Sequence, residues 1–181
     1  ITRFHSGNTG MIGIPNNLDF IVITGFAEDS KGNVWVLNLN AADSKSLYVF
    51  TSDSMYSFRN PLEQHSGFTE VENLVIDQYG TKWYTMGNEG SLGLFYFNEK
   101  GTYEDPTDDV YGYITTNKGL TSNAIYSLAI DRRGDLWVGT SLGVNIITNL
   151  NTVLTSSNPP IKITSAFSVR QQTINALVVD P

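Results

Sequence analysis

The sequence contains no cysteine, which excludes a disulfide scaffold, a thiolate metal site and a cysteine nucleophile. It also lacks an apolar run of about 18 residues, the minimum for a transmembrane helix. Basic residues are scarce: 11 Lys and Arg stand against 18 Asp and Glu, and the formal net charge is −7. Because nucleic acids and anionic membranes are bound through clustered positive charge, we expect no nucleic-acid partner and no membrane contact by this segment.

Common catalytic signatures are missing as well. The chain has no GxSxG, P-loop or GxGxxG motif, which removes the usual hydrolase, nucleotide and dinucleotide signatures. Its two histidines, His5 and His65, have neither HxH nor HxxxH spacing. We therefore predict a protein that is not an enzyme and that needs no cofactor.

What the sequence does contain is an internal repeat. The pattern Asp-x-x-Gly-x-x-Trp occurs three times, at intervals of 48 and 54 residues, and an Asp 49 residues further on begins a fourth copy. Apolar residues recur six and three positions before each Asp, and a second apolar run follows each Trp. The residues of the pattern are Asp29, Gly32 and Trp35, then Asp77, Gly80 and Trp83, then Asp131, Gly134 and Trp137, with Asp180 opening the fourth copy.

The residue pattern of each repeat is typical of short strands separated by turns. The apolar runs are about six residues long, β-branched and bounded by turn residues, which favours strand over helix. Four strands in about 50 residues is the size of one propeller blade. We predict an all-β protein, a β-propeller with four-stranded antiparallel blades, in which three complete blades are followed by the first strand of a fourth.

The whole chain, 1–181, is expected to be a single partial β-propeller and a fragment of a larger one, since both ends fall within the pattern. The predicted repeats span approximately 19–66, 67–120, 121–170 and 171–181. Within them the Asp is expected to accept backbone N–H groups, and the Gly to take a positive φ. The three tryptophans should occupy equivalent buried positions between blades.

The third copy also resembles a known family. Residues 119–144, GLTSNAIYSLAIDRRGDLWVGTSLGV, closely resemble the two-component regulator propeller repeat, which reads roughly GLPSNxVxxIxxDxxGxLWxGTxxGL. The first repeat echoes its GLPSN loop at residues 13–17, but both earlier repeats depart from WxGT. In addition, residues 170–177 are similar to loops of secreted propellers associated with type IX secretion in Bacteroidetes and their relatives.

The resemblance implies a bacterial propeller that is periplasmic or extracellular. The implied function is non-enzymatic binding or sensing, as the ligand-sensing part of a hybrid two-component regulator. One alternative is a secreted or surface scaffold associated with type IX secretion, and a less favoured one is a glycan-cleaving propeller enzyme. The expected partners are the remaining blades of the same polypeptide and either a glycan fragment or a protein.

Candidate ligand-binding residues come from the connections at one mouth of the propeller, where such folds usually bind ligands. These connections join one blade to the next, or the second strand of a blade to its third. The candidates are His65, Asn88, Glu89, Asn117, Lys118, Arg170, Gln171 and Gln172.

An acidic insertion in the second repeat offers a possible metal site. Asp105, Asp108 and Asp109, together with Glu104, carry the hard oxygen ligands that calcium prefers. The insertion lacks the glycine-punctuated DxDxDG spacing. We therefore predict no metal and retain calcium as the alternative.

Overall fold

The computed structural model describes residues 6–63, 71–87, 91–156, 158–166 and 171–179, in which three four-stranded antiparallel sheets succeed one another along the chain. Blade 1 consists of β1 (Ile23–Glu28), β2 (Val34–Asn38), β3 (Leu47–Phe50) and β4 (Met55–Phe58). Blade 2 consists of β5 (Val71–Ile76), β6 (Lys82–Met86), β7 (Leu94–Asn98) and β8 (Val110–Ile114). Blade 3 consists of β9 (Ile125–Ile130), β10 (Leu136–Thr140), β11 (Gly143–Thr148) and β12 (Lys162–Ser165).

The strands of every blade pair in sequence order, and the first strands of successive blades lie side by side. Blade 2 is the middle blade, and every residue of its β6 and β7 is buried because neighbouring sheets cover both faces. The only helices among the described residues are α1 (Ser6–Thr9) and two 3-10 segments, Thr116–Lys118 and Leu150–Leu154. None of them is long or apolar enough to cross a membrane. The predicted fold class, a β-propeller built of four-stranded antiparallel blades, is confirmed.

The turn between the first and second strands has the same construction in all three blades. In blade 2, Asp77 accepts the backbone N–H groups of Tyr79 and Thr81 at 2.9 and 3.0 Å, and Gly80 has φ +77°. A further bond, which the spacing alone did not predict, runs from the Trp83 indole N–H to Asp77 at 2.8 Å. The other two copies repeat these contacts, with indole distances of 3.1 Å from Trp35 to Asp29 and from Trp137 to Asp131.

Aromatic packing joins the blades. Trp35 stacks on Phe58 within blade 1, and Phe58 packs across the interface against Phe97 of blade 2, with ring centroids 5.4 and 5.3 Å apart. Within blade 2, Trp83 packs against Tyr96 at 5.4 Å, in the apolar cluster shared with blade 3. Both tryptophans are 0% exposed. The prediction of three equivalent buried positions was wrong for Trp137, which is only half-buried. Its ring lies on the far face of blade 3, where no further described sheet covers it.

Two other segments differ from the strand pattern. Residues 172–179 form no strand, because no described residue provides a ladder for them. They nevertheless lie beside blade 3 as an inner strand does, since Ser127 Oγ donates to the Ile174 carbonyl at 3.2 Å, much as Thr24 donates to Val71 between blades 1 and 2. The connection between β11 and β12 contains the 3-10 segment Leu150–Leu154, which packs Leu150 and Val153 into the core cluster that Ile163 of β12 also contacts.

Candidate functional site

Four of the eight predicted ligand-binding residues lie within the described part of the chain. His65, Asn88, Glu89 and Arg170 lie outside the described residues. Asn117 and Lys118 are exposed and lie together on the 3-10 segment that follows β8. Gln171 and Gln172 are also exposed, but they lie next to Leu142 at the end of blade 3, where the Gln171 N–H donates to the Leu142 carbonyl at 3.1 Å. The four described candidates therefore form two pairs of sequence neighbours, one after blade 2 and one beside the end of blade 3.

Asn117 and Lys118 mark one end of a groove at the outer edge of blade 2, which we call the edge groove. It has a volume of about 380 Å³ and runs along β8, facing Pro159 and Ile161 of blade 3. Lys118 Nζ donates to Asn158 on the blade 3 side. The edge groove thus lies between the outermost strands of two neighbouring blades, away from the central channel.

The floor of the edge groove is formed by Tyr96 and Gly112, which are cross-strand partners in β7 and β8. Tyr96 is only 6% exposed, and no bond from its hydroxyl to another described residue is found. A Cβ at Gly112 would overlap that hydroxyl, so glycine is what allows the phenol to reach the edge of the blade. Burial raises the pKa of Tyr96, which keeps the hydroxyl protonated and able to donate a hydrogen bond.

Two tyrosines flank Gly112 on the same strand. Tyr111 and Tyr113 are 39% and 51% exposed, and both line the edge groove. Tyr113 is held by stacking on Phe95, with ring centroids 5.6 Å apart. Their cross-strand partners are Phe97 and Phe95, so both rings lie on the face of blade 2 toward blade 1, opposite to Tyr96 and Gly112. The edge of β8 thus carries exposed aromatic rings on one face and a hydroxyl donor on the other.

The groove continues past the other end of β8 as a second hollow of about 400 Å³, which shares Tyr96 and Tyr111 with the first. Asp109 lines this end, and its Oδ1 atom is buried without a hydrogen-bond partner among the described residues. Burial, then repulsion from Asp108, Glu99 and Asp105, raises the pKa of Asp109 to about 6, although Lys82 opposes the rise. The groove therefore carries a hydroxyl donor at its centre, and its second hollow carries a carboxylate with an unpartnered oxygen.

Sequence reasoning missed Tyr96, Tyr111, Gly112 and Tyr113. The available signal was the pattern Val-Tyr-Gly-Tyr-Ile at 110–114, in which small and aromatic residues alternate on an outer strand. A glycine inside a strand usually indicates a bulge or a bend, so this pattern alone does not predict a groove. Only the cross-strand register shows that a buried tyrosine fills the space above this glycine.

The acidic insertion does not assemble as a metal site in the described part of the chain. Asp105 accepts the backbone and hydroxyl of Thr107, and Asp108 accepts the Thr102 hydroxyl at 2.7 Å. No group of three or more His, Asp or Glu side chains there is placed to hold an ion. The three aspartates of the calcium alternative are thus not brought together around a common point.

Other charged side chains near the groove are used inside the blades. Lys82, buried between blades 1 and 2, pairs with Glu99 and lies 3.6 Å from the centroid of the Trp35 ring. Desolvation lowers the pKa of Lys82, and the attraction of Glu99 opposes this. Glu63 is likewise buried and accepts the Ser46 hydroxyl at 2.6 Å and the Tyr84 hydroxyl at 2.5 Å. Through these contacts the Glu99 and Glu63 carboxylates hold the loops between strands against the sheets.

One repeat of the chain matches a known protein family. Residues 119–142, which run from the connection after blade 2 through β9 and β10, match the family model described as Two component regulator propeller. The family resemblance is confirmed. The match covers one repeat of the chain, and no curated protein matches the sequence at a significant level.

Several solved structures are similar to the three blades. The chain aligns over 99% of its length with PorZ, a bacterial surface component of the type IX secretion system of Porphyromonas gingivalis, at 25% identity and a TM-score of 0.77. It aligns over 84% of its length with the extracellular domain of a protein described as a hybrid two component system from B. thetaiotaomicron, at 15% identity and a TM-score of 0.51. Virginiamycin B lyase from Staphylococcus aureus aligns over 81%, at 14% identity and a TM-score of 0.52.

The last two likenesses show the fold alone. The chain spans 26% of the PorZ chain, 18% of the two component system domain and 42% of the lyase. Each of these proteins is therefore a longer chain in which a region of this size is one part.

Proposed function

We propose that these blades belong to an extracytoplasmic bacterial propeller that acts as a non-catalytic binding module at the cell surface. The observation that carries the proposal is the alignment of 99% of the chain with PorZ, a surface component of a secretion system, at a TM-score of 0.77. The match of residues 119–142 to the Two component regulator propeller family supports the same extracytoplasmic setting. A role in the assembly or operation of a secretion system is the specific form that we favour.

The arrangement of carboxylates supports binding rather than glycan cleavage. A glycosidase needs two carboxyl groups facing each other across a cleft, about 5–10 Å apart. In the described residues, Glu63 and Glu99 are engaged inside the blades, and the repeat aspartates hold their turns. Asp109, in the second hollow, is the one carboxylate there that lines either the edge groove or its continuation. A single carboxylate near aromatic rings is suited to binding a ligand rather than to cleaving a glycan.

The remaining blades of a larger propeller are the partner proposed for both ends of the stack. Leu74 and Leu128, which stand three residues before the repeat Asp in blades 2 and 3, are buried against the preceding blade. Their counterpart in blade 1, Phe26, is 76% exposed. Trp137 is half-buried on the opposite face. Each end thus presents one half of the interface that joins the blades internally.

The proposed role is tested in the source bacterium. We expect the intact protein to be accessible to protease added to whole cells, and deletion of its gene to stop export of secreted proteins. A strain carrying the wild-type gene in trans is the control. Protection from external protease together with normal export would contradict the proposal.

A sensor function is the second candidate, because the matched family model is that of two component regulators. It predicts that deletion leaves export intact and abolishes a transcriptional response to an external ligand. Export assays and transcript profiles of the same deletion strain therefore separate the two functions.

A further inference from the structure

We propose that the outer edge of blade 2 binds an extended peptide segment of a protein partner, which adds to β8 as a fifth strand. The inference rests on the proposed binding role and names the class of partner that the edge groove takes. It is carried by the unpaired edge of β8, the hydroxyl of Tyr96 and the charge at the two ends of the groove.

The edge of β8 is available for pairing. The strand pairs with β7 on one side, from Leu94 and Ile114 to Asn98 and Val110. Across the described residues, no backbone group of β8 bonds to anything beyond that ladder. An edge strand with a row of unpaired N–H and C=O groups is the template on which strand addition occurs.

The three outer strands differ in how well they resist such pairing. β4 and β12 have four residues each, whereas β8 has five. β12 carries Lys162, and Arg59 and Pro61 follow β4 closely, as expected for edges protected by charge or proline. β8 contains no charged residue and no proline. β4 also contains neither, so β8 differs from it in being longer and in having no proline next to it, while Asp109 directly precedes it.

The side chains around Gly112 suit an extended peptide. Because strand side chains alternate between faces, a strand added to β8 places alternate side chains beside Gly112 on the blade 3 face and beside Tyr111 and Tyr113 on the opposite face. The missing side chain at Gly112 lets the added backbone come close to the Tyr96 hydroxyl, which has a proton to donate. A peptide carbonyl at the centre of the segment is the acceptor that this donor fits.

The charges at the two ends of the groove indicate the orientation of the added peptide. Asp109, with a buried unpartnered Oδ1, precedes β8, and Lys118 follows it. Asp105 and Asp108 add negative charge at the Asp109 end. A partner segment with a Lys or Arg at that end and small or aliphatic residues in the middle complements the surface. Five paired residues correspond to about 17 Å of strand.

The test is a selection from a displayed library of random decapeptides on the intact protein. We expect the enriched sequences to be free of proline, β-branched in alternate positions and basic at one end. Synthetic copies of the enriched peptides should protect the amides of residues 110–114 from hydrogen exchange, and should leave those of β4 and β12 unchanged.

Variants at the groove assign the site. Replacing both exposed tyrosines, Tyr111→Ser with Tyr113→Ser, should weaken binding of the selected peptides at least about thirtyfold. Tyr96→Phe removes one hydrogen bond and should weaken it about three- to tenfold. Tyr79→Ser is the matched control, since Tyr79 is 44% exposed and lies outside the groove. Circular dichroism and thermal unfolding confirm that each variant is folded.

Three results would overturn the proposal. One is a selection that enriches no peptide, and another is enriched peptides whose affinity is the same for the tyrosine variants and for Tyr79→Ser. The third is saturable binding of an oligosaccharide from a glycan array that depends on Tyr111 and Tyr113, because it would assign the groove to a glycan. The export and protease assays test the proposed binding role independently of the groove. A negative peptide result would therefore reject the groove proposal without deciding the proposed function.

Discussion

At the scale of single residues, one aspartate per blade holds a turn and a tryptophan together. Its carboxylate accepts two backbone N–H groups and the indole N–H of the Trp six positions later. The six-residue spacing of the repeat is therefore fixed by a hydrogen bond between its first and last members. Burial would raise the pKa of all three aspartates, and it prevails at Asp77, whereas the hydrogen bonds prevail and lower the pKa of Asp29 and Asp131.

We expect Asp77→Ala to lower the free energy of unfolding by about 2–3 kcal/mol, because it leaves buried N–H donors without an acceptor. Asp77→Asn should cost less, since an amide oxygen still accepts from the backbone. Urea denaturation followed by tryptophan fluorescence measures both changes. Asp53→Ala, at an exposed position in the turn after β3, is the control and should have little effect. Equal losses in Asp77→Ala and Asp53→Ala would show that the turn carries no such energy.

A second prediction at this scale concerns pH. The pKa of Asp109 is raised to about 6 by burial and by Asp108, Glu99 and Asp105, with Lys82 acting in the opposite direction. A carboxyl group with a raised pKa in the folded state binds its proton more tightly there than in the unfolded chain. Its contribution to stability therefore grows as the pH falls through about 6 toward 4.

Asp109→Asn is expected to stabilise the protein at pH 8 by up to about 1 kcal/mol, since the half-exposed site is partly screened. The gain should disappear near pH 4, where the wild-type carboxyl is protonated. Thermal unfolding of the two proteins across this pH range measures it. A gain of the same size at both ends of the range would mean that the charge of Asp109 is not its cause.

At the scale of elements, the first position of the second strand shows how blades are fitted to their neighbours. Val34, Lys82 and Leu136 occupy this position in the three blades. Lys82 and Leu136 are both buried, and Lys82 compensates for its charge with Glu99 and with the Trp35 ring. Blade 2 thus uses an ion pair where blade 3 uses an aliphatic side chain.

Lys82→Ala should destabilise the protein by about 3–5 kcal/mol, because it leaves Glu99 buried without a counter-charge. The double variant Lys82→Leu with Glu99→Asn copies the equivalent residues of blade 3, Leu136 and Asn149, and should recover most of that loss. Guanidinium denaturation of the single and double variants gives the comparison. A double variant no more stable than Lys82→Ala would show that the pair is favourable in itself.

The elements that could be predicted from the sequence are those encoded locally. Short apolar runs bounded by Asp-x-x-Gly predict strands such as β9 correctly, because pattern and turn residues agree. The 3-10 segment at Leu150–Leu154 was missed, since its burial depends on packing beneath β12. The edge groove was missed for a similar reason: the partnership of Gly112 with Tyr96 depends on strand register, which no local motif specifies.

At the scale of the whole molecule, equivalent residues differ in burial according to which neighbour they face. Trp35 and Trp83 are enclosed between two described blades, whereas Trp137 is half-buried on the last face. Leu74 and Leu128 are buried against a preceding blade, whereas Phe26 is exposed on the first face. The energetic value of one repeat position therefore depends on its place in the stack.

This difference predicts a graded series of variants. Trp35→Ala and Trp83→Ala each remove a fully buried ring and an indole hydrogen bond, and should cost about 3–5 kcal/mol. Trp137→Ala removes the same bond but a half-exposed ring, and we expect a loss of about 1–2 kcal/mol in the chain alone. Phe26→Ser should be nearly neutral, because little apolar area is lost from contact with protein. Chemical denaturation of the four variants gives the order.

Covering the last face should change that order. If further blades cover the end faces, as proposed, Trp137 becomes enclosed like Trp83, and Trp137→Ala in the complete propeller should then cost about 3–5 kcal/mol as well. Phe26→Ser should likewise become destabilising, by about 2–3 kcal/mol for the lost burial of an aromatic side chain. Trp35→Ala lies at an internal interface in both settings and serves as the reference. A loss at Trp137 that stays small in the complete protein would mean that its face is open to solvent there, and that the propeller does not close over blade 3.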